Sequence, residues 1–442
     1  MEPISKQNHG PLFHTNNRAI PLTFISNLLL SKNSEFQRIS ILIFVTSVEA
    51  FCFLQNWEPI YQFMLLSVFL FSLVLIKHFL SKPSPVYLVD FSCLKPPNYC
   101  RVPFSSFIEN ASMIDCFDSE SVAFMAKVLS SSGISEETYL PPALHYIPPK
   151  THQQESIKEA QMVLFPIMDD LLAKIRLSPS DIDILILNCS AFCPSPSLSS
   201  IVINKYSMRS DIKSYNISGM GCSASALCID LAKKLLKVHK NSNAIVLSTE
   251  TLSNSWYSGN ERPKLLINCL FRMGSAAIFL TNRKEAKKYS KYRLFRTLRT
   301  QRAFEDKAYL SAIREEDSNG KLGVTLKRDL LQVAGETLRS NISLLGSSIL
   351  PLSEKFWYGV SVIEKRFFNK SQEIYVPNFK TVIQHFCLPA SGKPVIREVG
   401  KGLKLGDRDM EPALMTLHRF GNQSSSSLWY EISLLGSQGK SE

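Results

Sequence analysis

One residue in this chain sits in surroundings that suggest covalent chemistry: the cysteine of Gly219-Met220-Gly221-Cys222-Ser223-Ala224-Ser225. Residues 212–218 before it are rich in β-formers. Residues 224–238 after it carry Ala226, Leu227, Ile229, Leu231, Leu235 and Leu236 at helical spacing. Strand, tight turn and helix put the Cys222 thiol beside the first free N–H groups of a helix, where the dipole favours a thiolate. The glycines let the backbone turn sharply and leave room for a substrate. This is how a nucleophile is activated. The stretch fits equally a buried structural cysteine in a glycine-containing loop, which is the reading for Cys228 on the apolar face of the same helix.

The elements that must position this turn alternate in type. Helices are expected at 121–129 and 154–176, then a turn at Ser178-Pro179-Ser180-Asp181. An almost wholly apolar strand at 182–187 follows, as for a central parallel strand covered on both faces. A helix at 199–207 leads to the strand before Cys222. A buried strand at 244–248 ends in Thr249-Glu250-Thr251, and segments 265–270 and 276–280 flank Phe271-Arg272-Met273-Gly274. Strands alternating with helices predict the α/β class with a mostly parallel sheet. The basic run over 282–302 reads as a solvated linker face, or alternatively as a surface for CoA phosphates or lipid. A second α/β unit is expected beyond it. It should hold a helix at 328–345, a strand at 380–388, a short helix at 412–416 and a helix at 424–434.

Composition narrows the partners. The chain has 442 residues, 45% of them hydrophobic, and a formal charge of +12, which suits an anionic partner. No nucleic-acid-binding pattern is present, so no nucleic acid is expected. The ten cysteines form no CxxC pair and no zinc spacing, and read as reduced thiols. Residues 39–54 and 60–80 are apolar runs joined by Gln55-Asn56-Trp57-Glu58-Pro59, the pattern of a helical hairpin in a bilayer, although Glu49 weakens the first. One span plus an interfacial helix is the alternative. Basic residues at 32–38 and 77–82 would put both ends on the cytosolic side. The expected organisation is a polar tail (1–37), a transmembrane hairpin (38–81), a half carrying Cys222 (85–282), a basic linker (283–319) and a second half (320–442).

Longer motifs give a family. Residues 86–93, Asn204-Lys205-Tyr206, residues 213–216 and 219–224, Asn268-Cys269-Leu270-Phe271-Arg272-Met273-Gly274 and Thr416-Leu417-His418-Arg419-Phe420-Gly421-Asn422 closely resemble the plant 3-ketoacyl-CoA synthases. The resemblance runs from about residue 38 to the C-terminus. It implies a thiolase-like fold of two pseudo-duplicated α/β halves, usually dimeric, paired with other synthases and elongase components on the cytosolic face of the endoplasmic reticulum membrane. It implies that Cys222 takes the acyl group of a long-chain acyl-CoA, that malonyl-CoA loses CO2 and condenses with the thioester, and that no cofactor is needed. The matching asparagine is Asn422, an oxyanion donor in this chemistry. His418 and His385 match two further histidines, though a lone histidine on a strand or loop is more often structural.

The sequence also departs from the family pattern. Where the family reads His-Phe-Cys-Ile-His-Ala-Gly-Gly, this chain has His385-Phe386-Cys387-Leu388-Pro389-Ala390-Ser391-Gly392. Pro389 thus holds the position of the catalytic histidine and offers neither a titratable nitrogen nor an N–H. His385, four residues away on a strand, would stand roughly 13 Å off. Gln301 replaces another family histidine, and Ser225 and Ser275 replace glycines. The chain stops at Glu442, where the family continues through a closing pair of strands, so the second half is expected to be shortened. These departures carry an alternative: a catalytically defective homologue that regulates or scaffolds an active synthase.

Overall fold

A computed structural model describes residue 46 and residues 59–80, 85–368, 371 and 374–437. The chain divides into two compact units, Met1–Pro83 and Ser84–Glu442. In the first, helix α1 spans Pro59–Leu80, matching the second expected apolar run. The tail at 1–37 and, Thr46 apart, the first run at 39–54 lie outside the described residues. Among the described residues no helix is long and apolar enough to cross a membrane.

The second unit is organised on six strands: β1 (Val86–Cys93), β2 (Ile184–Asn188), β3 (Lys213–Ile217), β4 (Asn243–Thr249), β5 (Ser275–Thr281) and β6 (Tyr292–Leu294). They lie in the order β3-β2-β4-β5-β1-β6. Every residue of β2, β4 and β5 is buried. Alternation along β2 divides its side chains between two cores. Leu185 and Leu187 join Leu164 and Met168 of α2 (Gln153–Ile175), while Ile184 and Ile186 join Ile229 and Leu236 of α3 (Ala224–Val238). Each such side chain contributes roughly 1.5–3 kcal/mol by leaving water. Burial on both faces explains the unbroken apolar runs seen in the sequence.

Two expectations are corrected here. The sheet is mixed rather than mostly parallel: β2 pairs in parallel with β3 and β4, but β4–β5, β5–β1 and β1–β6 are antiparallel. The second sheet is also reduced, among the described residues, to a two-stranded hairpin. Past the hairpin of β7 (Ala312–Glu316) and β8 (Leu322–Leu326), the chain is helical. Its helices are α4 (Leu330–Ile349), α5 (Leu352–Phe367), α6 (Lys393–Gly402), α7 (Asp407–Phe420) and α8 (Ser427–Ser437). The strand expected at 380–388 is a 3-10 turn at Phe379–Thr381 followed by irregular backbone. A strand needs a ladder to satisfy its amides. Among the described residues no neighbour supplies one, and the Leu388 N–H instead donates to the Glu431 carboxylate at 3.1 Å.

Helix α8 docks on the first sheet. Trp429 enters the core beside Phe91, with ring centroids 5.6 Å apart. The Tyr430 hydroxyl donates to the Leu94 carbonyl at 2.6 Å and accepts the Ser275 N–H at 3.2 Å.

Candidate active site

The turn that carries Cys222 forms as its glycines dictate. Gly219 and Gly221 have φ of 70° and 57°, a region that costs residues with a Cβ. The turn is tied to the end of β2: Gly219 N–H donates to the Ser190 carbonyl at 3.1 Å, and Ser190 Oγ to the Gly221 carbonyl at 3.4 Å. A 3-10 turn, Gly221–Ser223, then feeds α3. Cys222 is exposed as a residue although protein crowds its sulfur, whereas Cys228 is buried. The burial of Cys228 agrees with its expected structural place on the apolar face of α3.

The facing wall is the segment after α7. Gly421 (φ 73°) and Ser424 (φ 54°) both take the left-handed conformation, which folds Asn422 and Gln423 inward. Asn422 is buried. Its Oδ1 accepts the Ser424 N–H at 2.9 Å, and its Nδ2 donates to the Ser391 carbonyl at 3.1 Å. Ser425 closes against the sheet, accepting from Asn188 Nδ2 at 2.7 Å and lying 2.9 Å from Ser248 Oγ. The serine run thus plugs onto the ends of β2 and β4.

These walls meet at Ser424. Its Oγ lies 3.8 Å from Cys222 Sγ and 3.1 Å from Glu250 Oε2. Glu250 is buried just past β4, and its Oε1 accepts the Ala191 N–H at 2.8 Å. Burial is the main cause that pushes its carboxyl pKa above the usual range. Protein packed around the sulfur likewise pushes the Cys222 thiol up, the Ser424 hydroxyl pulls it down, and the Glu250 charge raises it further. A helix N-terminus alone therefore does not leave a free thiolate here. The thiol needs a proton acceptor.

Of the other residues read from the sequence, Asn422 is brought to Cys222 through Ser424, and the remainder are not. His385 is exposed and makes no hydrogen bond among the described residues. His418, at the end of α7, has Nδ1 at 3.1 Å from the Gly133 carbonyl, a structural tie to the helix Ser119–Ser132. Gln301 is exposed, and its Oε1 accepts the neighbouring Arg302 N–H. Pro389 is exposed, two residues from the Ser391 carbonyl that holds Asn422. Ser225 and Ser275 have been absorbed into the packing. Ser225 Oγ accepts the Trp429 indole N–H at 2.6 Å, and Ser275 Oγ donates to the Val163 carbonyl at 2.6 Å.

Three residues escaped the sequence reading. Glu250 had a visible signal, a carboxylate ending an otherwise apolar buried strand, whereas Ser424 was hidden in a run of four serines. Arg272 is wholly buried with no carboxylate partner among the described residues: its Nε donates to Thr138 Oγ1 at 2.9 Å and its Nη1 to the Phe271 carbonyl at 2.7 Å. Its backbone N–H holds the Asn422 carbonyl at 2.8 Å.

A second concavity lies between α4, α5 and α6, a cavity of about 770 Å³. Leu338, Ile342, Phe379 and Val399 give it an apolar interior. Arg339, Lys355, Lys365, Lys401 and Lys404 line it against a single carboxylate, Glu398. None of its lining residues belongs to the Cys222 cluster. No group of side chains suited to a metal ion exists among the described residues.

Comparison with known proteins gives this arrangement a context. Residues 78–367 match the family described as FAE1/Type III polyketide synthase-like protein. Among curated proteins, 3-ketoacyl-CoA synthase 5 of Arabidopsis thaliana is 51% identical over 376 residues, covering 85% of this chain and 76% of that protein. 3-ketoacyl-CoA synthase 6 of the same plant is 50% identical over 363 residues, covering 82% and 73%. Among solved structures, a point mutant of CsyB superposes with a TM-score of 0.61 at 16% identity, covering 80% of this chain and 92% of that one. The C-terminal type III polyketide synthase domain of Steely1 from Dictyostelium gives 0.59 at 15% identity, covering 79% and 91%. At such identities the structures speak for the fold alone, an α/β fold of the thiolase-like kind.

Proposed function

The chain belongs to the plant 3-ketoacyl-CoA synthases of the FAE1/type III polyketide synthase-like family, and from that membership we propose that it condenses a long-chain acyl-CoA with malonyl-CoA. The observation that carries the reading is an exposed cysteine on a glycine turn at a helix start, faced by the Asn422–Ser424 segment. Cys222 Sγ attacks the acyl thioester and displaces CoA. Malonyl-CoA then loses CO2, and its carbanion attacks the acyl-Cys222 carbon to give a 3-oxoacyl-CoA. Asn422 Nδ2 spends one hydrogen on Ser391 and keeps a second for the oxyanion that develops.

Three finer features complete the proposal. The apolar cavity between α4 and α6, with five cations at its walls, has the character that an acyl chain with an anionic head requires. The apolar side chains Phe63, Phe71 and Val74 exposed on α1 support attachment to a membrane, with 39–54 and 60–80 as the anchor at the endoplasmic reticulum and the Ser84–Glu442 unit in the cytosol. Assembly as a homo- or heterodimer within the elongase complex is the expected quaternary state.

A second reading has an observation of its own. Among the described residues no histidine is hydrogen-bonded to Cys222, Ser424 or Asn422. Loss of a general acid/base commonly costs roughly 10²–10⁴-fold, so the alternative is a disarmed homologue that binds acyl-CoA and regulates an active synthase. Incorporation of labelled malonyl-CoA by microsomes containing the chain decides between them. Product that vanishes in Cys222→Ala establishes the synthase. Product from Pro389→His but not from the native chain establishes the disarmed homologue.

A further inference from the structure

The acylation step leaves one proton unassigned, that of the Cys222 thiol, and no histidine is positioned to take it. Ser424 is the one side chain hydrogen-bonded to the sulfur among the described residues. Its hydroxyl is held by backbone geometry that few non-glycine residues adopt, φ 54°, pinned by the Asn422 amide on its own N–H. On its other side stands Glu250 Oε2 at 3.1 Å. The charged and titratable groups around Glu250 are few. Cys189 Sγ lies 3.6 Å from Oε1, Cys222 lies beyond Ser424, and buried Glu159 is close enough for its own carboxyl to feel the Glu250 charge. No cation is paired with Glu250 among the described residues, and a buried unpaired carboxylate is a better base than an exposed one.

We propose that Glu250 is the proton acceptor for Cys222, working through the Ser424 hydroxyl. This rests on Cys222 being the acylated nucleophile. As the Sγ–C bond forms at the acyl carbon, the thiol proton passes to Ser424 Oγ while the Ser424 proton passes to Glu250 Oε2. The bond from carbon to the CoA sulfur breaks, and the leaving thiolate recovers a proton along the same path, so Glu250 ends ionised. The relay gives the thiol a proton acceptor in a chain that has proline, not histidine, at position 389.

Two readouts on the full-length chain in detergent separate a proton acceptor from a mere charge. The Glu250 charge opposes thiolate formation. Glu250→Gln should therefore leave alkylation of Cys222 by iodoacetamide unchanged or faster. Single-turnover acylation by labelled long-chain acyl-CoA should fall by roughly 10²–10⁴-fold and lose the acid limb of its pH–rate profile. Ser424→Gly removes the hydroxyl while suiting the left-handed backbone, and should lose acylation equally. Acylation at the native rate in either folded variant overturns the relay. If Glu250→Gln does not fold, Ser424→Gly alone decides. Absence of acyl-enzyme from the native chain, with Cys222 still alkylated, refutes the synthase reading and the relay together.

Discussion

Gly421 packs against the aliphatic part of Arg272 so closely that a Cβ at position 421 would collide with Arg272 Cγ and Cβ. Arg272 cannot retreat. Its guanidinium is locked to Thr138 and Phe271, and its backbone N–H carries the Asn422 carbonyl. Gly421→Ala therefore adds a steric clash to a left-handed backbone strained for alanine. The expected result is a loss of about 1–3 kcal/mol of stability and a larger fractional loss of Cys222 acylation, since Asn422 and Ser424 ride on this turn. Equal acylation rates in the native and substituted chains would show that the turn does not position the site.

Ser225 now accepts the Trp429 indole N–H. Restoring the family glycine with Ser225→Gly would leave that buried donor unpaired and cost about 1–3 kcal/mol. Denaturant titration checks the stability. No gain in condensation is expected, because Ser225 touches Trp429 rather than the thiol.

Burial raises the Glu431 carboxyl from its ordinary 4.5 to about 8, and one of its oxygens has no partner among the described residues. A folded-state pKa above the unfolded one means that the folded chain binds the proton more tightly. This contribution to stability is therefore present at low pH and lost as pH rises from about 4.5 to 8. Glu159, raised to about 7 by burial, acts with the same sign over the lower part of that window. Glu431→Gln should keep the acceptor for Leu388 and flatten the decline in stability between pH 7 and 8, leaving the Glu159 part below. A decline as steep in the variant as in the native chain would assign the effect elsewhere.

The walls of the second cavity predict a salt-sensitive affinity. Reversing Lys401 and Lys404 together to Glu should weaken binding of a long-chain acyl-CoA to Cys222-alkylated protein by about 10-fold at low ionic strength and less at high salt. Leu338→Trp, which fills the interior, should weaken binding at any salt. Affinity unmoved by both would place the acyl amphiphile elsewhere.

What the sequence made legible follows from period and type. Strands β2, β4 and β5 were readable because burial on both faces demands unbroken apolar runs, and the Cys222 turn because two left-handed positions demand glycine. Segment 380–388 misled because residues that suit a strand form one only where a neighbour completes the ladder. Here the Leu388 amide turns to a helix side chain. Antiparallel pairing of β4 with β5 was invisible because direction depends on how the intervening Arg262–Leu270 helix returns the chain. Histidines 385 and 418 carried family weight but lie on the surface, while Glu250, marked only by its place after a buried strand, lies beside the Ser424 hydroxyl that meets Cys222.

The contact of Asn188 with Ser425 joins residues 237 positions apart. A chain emerging from the ribosome can complete most of the six-stranded sheet long before residue 425 exists, since domains fold from the N-terminal side as synthesis proceeds. Until the serine run arrives, the cysteine turn has no opposite wall, no Asn422 and no hydroxyl beside its sulfur. A nascent chain therefore carries the Cys222 thiol without that wall until the segment after α7 has been made and folded back onto β2.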